Sequence, residues 1–308
     1  MDQEIYMKYY IAIPTYNGGD IWKLVAHSIK NNAPKNSFVQ VIDSSSKDDT
    51  VAVAKDAGFD VLTIPGAEFN HGGTRNLAVE KHLAQYDIVI FLTQDAIPQK
   101  GFVEKIIAAF QDERVVCAYG RQLPHDNANP LARHARWFNY PEQGYVSGKE
   151  SIPEMGIKTV FMSNSFSAYR LSVFKELGSF PADTILCEDM FYTAKAILAG
   201  YKVAYVADAI VQHSHNYFPI EEFKRYFDIG VFHEMEPWIR EEFSGVRSEG
   251  NKYVLSELFF LFRKKPYWIP FACINNAMKI AGYNLGKRYK KLPISLVKIC
   301  SMHRRYWE

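Results

Sequence analysis

The chain has 308 residues, a formal net charge of +2 and 15% aromatic residues. A chain of this length can bury a substantial core, and its small net charge excludes an overall positive field of the kind that attracts nucleic acids. Its sequence contains no run of about 18 apolar residues, so we predict no membrane-spanning helix, and any membrane contact would be peripheral.

The N-terminus and the cysteines predict an intracellular protein. Residues 1–8 lack the basic start and long apolar stretch of a secretory signal peptide. The four cysteines have no CxxC spacing and no histidine partners at zinc-like intervals, which favours reduced thiols. We therefore expect a cytoplasmic protein.

Strands and helices alternate over the first 119 residues. Trp22, Val25, Ala26 and Ile29 follow Asp20 at helical spacing and predict the first helix. Apolar and β-branched runs predict strands at 9–13, 38–42, 61–64, 88–92 and 115–119. This alternation predicts an α/β fold with a doubly wound, mostly parallel sheet, because right-handed crossovers place helices on both faces.

Polar loops starting at Pro14, Asp43 and Thr93 each follow a predicted strand. Carboxyl ends of parallel strands meet at one edge of the sheet, where such folds bind ligands. Asp95 follows the most apolar strand, so we expect a metal or nucleotide site there. The alternative is that these are ordinary turns, in which Asn, Ser, Asp and Gly are common. Neither a GxGxxG nor a P-loop motif is present.

Helical and strand periodicity lapses between residues 120 and 158, where cations, aromatics and prolines are mixed. A long stretch without regular elements predicts a lid or binding loop. The alternative is a disordered insertion, which Trp137, Phe138 and Tyr140 disfavour because disordered segments are poor in aromatics. Sheet-like sequence resumes at 159–162 and continues to 170.

Two acidic residues and two histidines between residues 188 and 215 are further candidates for a functional site. Glu188 and Asp189 open a predicted helix, although acidic residues are also favoured there by the helix dipole alone. A strand predicted at 201–206 leads to His213 and His215. Side chains two residues apart in an extended segment point the same way.

Five motifs in register resemble those of the family 2 glycosyltransferases, which are inverting enzymes with the GT-A nucleotide-diphospho-sugar transferase fold. The motifs lie at 13–17, 43–50, 74–76, 91–95 and 188–189. The resemblance covers about residues 8–216.

The resemblance implies roles for individual residues. Those expected at the donor nucleotide are Pro14, Thr15, Tyr16, Asn17, Asp43, Arg75, Gln94 and Asp95, with Asp43 facing the pyrimidine. Asp95 would bind a divalent cation, Mg²⁺ or Mn²⁺, with His213 or His215 as a further ligand. Asp189 is the expected catalytic base and Glu188 the second candidate. Residues expected at the acceptor are Arg121, Trp137 and Asn164.

Two carboxylates of the family's motifs are missing, because the chain has Ser44 and Thr93 at those positions. A metal held by one carboxylate would rely on diphosphate oxygens and waters, which suits Mg²⁺, whereas imidazole ligands suit Mn²⁺ better. The missing carboxylates also leave open a catalytically silent protein that binds sugar nucleotides.

The residues at 69–76, 93–96 and 120–124 resemble the bacterial rhamnosyltransferase branch of the family. Those enzymes take L-rhamnose from dTDP-β-L-rhamnose and build O-antigen, capsule or other cell-wall polysaccharide. The alternative is the same fold with another donor, such as a UDP-hexose.

The chain divides into a catalytic domain, 1–216, and a helical C-terminal region, 217–308. Within the first, 1–119 is expected to be the nucleotide half and 120–216 the acceptor half. Residues 251–308 hold 12 Lys and Arg against two Asp and Glu.

Helices predicted at 254–262, 268–287 and 294–302 interleave cations with aromatics, which suits the surface of an anionic membrane. A polyprenyl-diphosphate-linked saccharide acceptor at the cytoplasmic face of the inner membrane would explain this composition. A subunit interface and a solvated basic face are the alternatives. No nucleic-acid-binding module is recognised, so no such partner is expected.

Overall fold

The computed structural model describes residues 7–244 and 249–308, and within these ranges nine strands form one sheet. The predicted lack of a signal peptide rests largely on residues 1–6, which lie outside the described residues. The strands are β1 (Tyr9–Thr15), β2 (Phe38–Asp43), β3 (Asp60–Thr63), β4 (Ile88–Leu92), β5 (Ile97–Pro98), β6 (Val115–Leu123), β7 (Tyr145–Ser147), β8 (Phe166–Arg170) and β9 (Lys202–Gln212).

Helices separate and follow these strands. They are α1 (Gly19–Asn32), α2 (Thr50–Asp56), α3 (His71–Glu80), α4 (Phe102–Ala108), α5 (Pro130–Asn139), α6 (Ile152–Met155), α7 (Leu171–Glu176), α8 (Glu188–Leu198), α9 (Pro219–Met235), α10 (Pro237–Glu242), α11 (Glu249–Lys264), α12 (Ile269–Gly286) and α13 (Ile294–Cys300). The three helices predicted in the C-terminal region correspond to α11, α12 and α13.

The sheet is mixed, with the strand order β3-β2-β1-β4-β8-β6-β9-β5 and β7 paired to β9. The first four strands are parallel, as predicted, but β8 runs antiparallel to both β4 and β6. The strand β8 starts beside the end of β4, where the Thr93 N–H donates to the Ser165 carbonyl (3.3 Å). The residues just before β8 therefore lie at the same edge as the loop that carries Asp95.

Apolar side chains are buried on both faces of the sheet. All five residues of β4 are buried, which explains its continuous apolar sequence. The predicted inward face of α1, Trp22 to Ile29, packs on one side. On the other side, Phe227 and Phe232 of α9 belong to the same hydrophobic cluster as Phe91 of β4. The C-terminal helices thus share a core with the sheet.

The prediction of a stretch without regular elements between 120 and 158 is wrong. The strand β6 continues to Leu123, and α5, β7 and α6 follow. The helix α5 starts at Pro130, and the Asn129 side chain accepts from the Ala132 N–H (2.9 Å), so it has both an N-cap and a favourable first residue. The strand predicted at 159–162 is also wrong, because a 3₁₀ turn at Gly156–Val160 packs there against α8.

Two glycines bring α12 into backbone contact with α9. A Cβ atom at Gly282 would overlap the Phe223 carbonyl, and one at Gly286 would overlap the Phe227 carbonyl. Contacts this close require glycine and leave no space for the helices to slide. In the described ranges, no helix is both long and apolar enough to cross a bilayer.

Candidate active site

The loops after β1 and β4 are joined by one side chain. The Tyr16 N–H donates to Gln94 Oε1 (2.7 Å), and Gln94 Nε2 donates to the Tyr16 carbonyl (3.1 Å). Two of the three polar loops expected at the sheet edge are therefore in direct contact, and Asp95 follows immediately in the chain.

Asp43 organises the loop after β2. Thr15 Oγ1 donates to Asp43 Oδ1 (3.0 Å), and the Ser46 N–H donates to Asp43 Oδ2 (2.9 Å). The Asp43 side chain has no exposed surface. Asn17 Oδ1 accepts from the Lys47 N–H (2.8 Å), which ties the first loop to the second. Contact between Asp43 and a pyrimidine stays a prediction, and the structure shows Asp43 supporting the loop.

Asp95, His213 and His215 form a cluster that could hold a metal ion. One ligand atom from each lies within 4.8 Å of the other two. His213 Nε2 lies 3.4 Å from Asp95 Oδ1, and His215 Nε2 lies 3.6 Å from Asp95 Oδ2. One carboxylate and two imidazoles fit a divalent transition metal such as Mn²⁺. The two histidines follow β9, and both rings face the carboxylate.

Gln122 fixes the orientation of the His213 ring. An Arg136 Nη donates to Gln122 Oε1 (2.7 Å). Because an arginine side chain can only donate, the Gln122 atom that faces it must be the amide oxygen. His213 Nδ1 lies 2.8 Å from the same oxygen and must carry a proton. Nε2 is consequently the nitrogen that faces Asp95 and is available to a metal. Such outer partners commonly orient metal-binding histidines.

The electrostatics of the cluster also suit a metal. Burial, reinforced by neighbouring His213, lowers the pKa of His215 to about 3, so its ring is neutral at physiological pH. Burial opposes ionisation of Asp95, but the two histidines outweigh it and hold the pKa of this carboxyl below its usual range. The His215 ring stacks on Tyr217, with ring centroids 5.0 Å apart.

The acidic pair opens α8 directly after Cys187, whose φ of +61° turns the chain into the helix. Arg75 Nη1 lies 3.1 Å from Glu188 Oε1, and Asn164 Nδ2 donates to the same oxygen (2.8 Å). Asp189 accepts from the Asn164 N–H (3.1 Å) and from the Met190 N–H (2.8 Å). Asn164 therefore orients both acids.

The two acids differ in their suitability as a base. Glu188 is only 5% exposed, and although burial opposes its ionisation, Arg75 and His71 hold its pKa below the ordinary value. Asp189 is partly exposed, and burial of its carboxyl together with the charge of Glu188 raises its pKa to about 7. The acid with the raised pKa, in a residue that is partly exposed, is the better proton acceptor near neutral pH.

One short segment connects the metal cluster to the acidic pair. Gln122, which orients His213, donates through Nε2 to Ser163 Oγ (2.8 Å). The next residue, Asn164, holds Glu188 and Asp189. Both ends of this hydrogen-bonded path lie at the edge where β4 ends, so the two predicted centres belong to one site.

Other predicted residues take different positions. Arg75 is buried against Glu188, and its predicted contact with the nucleotide is untested. Asn164 uses its side-chain amide within the site, so it is an orienting residue here. Arg121 donates to the Tyr140 carbonyl (3.2 Å), and Trp137 is 46% exposed. Acceptor contacts by these residues stay predictions.

Sequence reasoning missed the functions of Gln122 and Ser163. Gln122 stands inside the 120–124 motif, but the resemblance assigns no role to it. The role of Ser163 cannot be predicted from the sequence, because it depends on a hydrogen bond to Gln122, 41 residues away in the chain.

An aromatic groove lies next to the metal cluster. Its volume is about 480 Å³, and its apolar walls include Tyr217, Phe218, Tyr267, Trp268 and Phe271. Tyr217, which stacks on His215, connects the groove to the cluster.

Comparison with solved structures identifies the fold. The chain superposes on a mannosyltransferase from Pyrobaculum calidifontis in complex with GDP-Man and Mn²⁺ with a TM-score of 0.62, at 15% identity over 94% of this chain and 90% of that one. It also superposes on S. aureus TarS 1–349 in complex with UDP-GlcNAc with a TM-score of 0.54, at 16% identity over 92% of each chain. The predicted GT-A fold is confirmed.

Comparison with characterised sequences is more specific. The chain is 52% identical to the O-antigen chain rhamnosyltransferase RfbN of Salmonella typhimurium over 98% of its own length and 96% of that protein. It is 49% identical to the O-antigen chain rhamnosyltransferase WbaN of Salmonella anatum over 96% and 95% of the two chains. The model of the family "Glycosyl transferase family 2" matches residues 10–178. Together with the site at the edge of the sheet, these matches show that the chain belongs to glycosyl transferase family 2.

Proposed function

We propose that the protein transfers L-rhamnose from dTDP-β-L-rhamnose, with inversion, to a saccharide acceptor in O-antigen synthesis. The observation that carries the proposal is the 52% identity, over nearly the whole chain, to an O-antigen chain rhamnosyltransferase. A site with a base candidate and a metal-ligand cluster on one sheet edge supports an active enzyme over a silent sugar-nucleotide-binding protein.

Inverting transfer is a single displacement at the anomeric carbon. The acceptor hydroxyl must lose its proton, and Asp189 is the carboxylate placed to take it. Asn164 holds Asp189 through its backbone N–H and Glu188 through its side-chain amide. A divalent cation bound by Asp95, His213 and His215 would neutralise charge on the departing nucleoside diphosphate.

The donor is tested with purified protein, Mn²⁺ or Mg²⁺, and a panel of dTDP-rhamnose, UDP-glucose and GDP-mannose. We expect slow hydrolysis of dTDP-rhamnose without an acceptor, and transfer when a saccharide acceptor is added. NMR of the product should show the anomeric configuration opposite to that of the donor. Turnover of UDP-glucose in preference to dTDP-rhamnose would contradict the proposed donor, and binding without any turnover would support a silent binding protein.

We also propose that the acceptor is lipid-linked and that the C-terminal helices touch an anionic membrane surface. On α11, Leu255, Phe259 and Phe262 are spaced to share one helix face and are 68%, 57% and 72% exposed. Exposed cations follow directly at 263–265, and Tyr267 beyond them is 70% exposed. Apolar side chains beside cations suit the interface of an anionic bilayer. Because Tyr267 also lines the aromatic groove, that surface continues toward the metal cluster.

Changing Arg263, Lys264 and Lys265 together to Gln should weaken binding to anionic vesicles by about 100-fold, since each basic residue near such a surface contributes about 1 kcal/mol. Flotation with phosphatidylglycerol-containing liposomes measures this. Point substitutions are preferable to removal of the region, because α12 packs through glycine against α9.

The matched control changes three exposed lysines elsewhere, Lys30, Lys35 and Lys55, to Gln. It removes the same charge and should leave most vesicle binding intact. Equal losses in both triple variants would mean that only net charge matters, and the membrane surface would then not be α11.

A further inference from the structure

The C-terminal segment, residues 301–308, packs against the sheet edge that carries the site. The buried Asp228 carboxylate accepts from the Met302 N–H (2.9 Å) and the His303 N–H (3.2 Å). The His303 ring then packs edge-on against His71, with centroids 4.8 Å apart. His71 begins α3, the helix that carries Arg75.

Two further contacts hold the end of this segment. The Tyr306 hydroxyl donates to the Asp183 carbonyl (2.6 Å), in the loop before the acidic pair. The Trp307 ring lies 5.5 Å from the Tyr289 ring, and both pack on the main hydrophobic cluster. The segment is therefore fixed at both ends, with residues 304 and 305 between the contacts.

Arg305 extends from this segment over the loop after β1. Its guanidinium carbon lies 5.9 Å from the centre of the Tyr16 ring, and Nη1 donates to the Gly66 carbonyl (3.4 Å). Tyr16 is bonded through its backbone to Gln94, the residue before Asp95. A cation from the far end of the chain is thus placed over the loop after β1, which is hydrogen-bonded to the loop that carries Asp95.

The charges around the site leave Arg305 available to an anion. Arg75 is neutralised by Glu188, and Arg136 is engaged with Gln122. Arg305 is exposed, and within the described ranges no carboxylate lies within ion-pair distance of it. The ring of Tyr16 holds the guanidinium by a cation–π contact without neutralising it.

We propose that Arg305 binds the diphosphate of the donor, so that residues 301–308 complete the donor site. A guanidinium can donate two parallel hydrogen bonds to phosphate oxygens, and it remains charged throughout the physiological pH range. The inference rests on the proposed function only in requiring a nucleoside-diphosphate donor, whatever its base or sugar.

The test is calorimetric titration of the full chain with dTDP and with dTMP in the presence of Mn²⁺. Arg305→Ala should weaken dTDP binding by about ten- to hundredfold, the range for a lost charge-assisted hydrogen bond, and leave dTMP binding nearly unchanged. Arg305→Lys should recover part of the loss, because it restores the charge but not the paired donors. The matched control is Arg304→Ala, which should bind both nucleotides like the unmodified protein.

Equal losses for dTDP and dTMP, or no loss for dTDP, would overturn the role of Arg305. If the unmodified protein prefers UDP or GDP, the same comparison is made with UDP and UMP or with GDP and GMP. A selective loss there would retain Arg305 as a diphosphate ligand and reject the dTDP donor. Failure of the unmodified protein to bind any nucleoside diphosphate would overturn both proposals.

Discussion

Replacing Asp189 with Asn is expected to lower the rate of rhamnose transfer by at least about 100-fold while leaving dTDP affinity almost unchanged. The amide has nearly the shape of the carboxylate but cannot accept a proton from the acceptor hydroxyl. Transfer is measured under saturating donor, and dTDP affinity by calorimetry. Transfer at close to the normal rate would remove Asp189 from the role of base.

The pH profile provides an independent check on the same residue. Because burial and Glu188 raise the pKa of Asp189 to about 7, its ionised fraction increases between pH 6 and pH 8, and the transfer rate should rise with pH and then level off. Glu188→Gln removes the neighbouring negative charge, so the rising limb should move to lower pH. A limb that does not move would show that another group sets the profile.

Replacing Asp95 with Ala is expected to abolish metal-dependent donor binding, with at least about a 100-fold loss of donor affinity. Changing a residue that only orients a metal ligand typically costs about 10- to 100-fold in metal affinity or activity. Asp95 would itself be a ligand, because both histidines face its carboxylate, so its loss should cost at least as much. Titration with Mn²⁺ and with dTDP, each in the presence of the other, measures the effect.

Asp112→Ala serves as a control for Asp95→Ala. Asp112 lies before β6, at the end of that strand away from Gln122, and its carboxylate pairs with the exposed Arg114 (3.0 Å) instead of facing the cluster. Metal-dependent binding should survive this change. Full activity of the unmodified protein in excess chelator would show that no metal is needed and would contradict the role given to Asp95.

The parts of the site that the sequence predicted depend on local patterns. Asp95 follows a strand so apolar that only a central position suits it, and the carboxyl end of such a strand is a ligand-binding edge. His213 and His215 were predicted to point the same way because side chains alternate along extended backbone. These relations hold within a few residues, so one sequence suffices to read them.

The parts that the sequence did not predict depend on partners far along the chain. The direction of β8 is set by its pairing with β4 and β6, and an apolar run carries no information about direction. The helix α5 packs against α11, whose residues begin more than 100 positions later. Arg305 reaches Tyr16 only because α9, α12 and α13 return the chain to the sheet.

The glycine contacts between α9 and α12 have a consequence for the choice of acceptor. Helices in backbone contact move together, so α12 is held rigidly against α9, whose Phe227 and Phe232 share a hydrophobic cluster with the sheet. On a bilayer, the catalytic cleft would stand at a constant height and tilt above the headgroups. The enzyme would then select acceptors by length, favouring glycolipids whose growing saccharide end lies at the same distance from the membrane as Asp189.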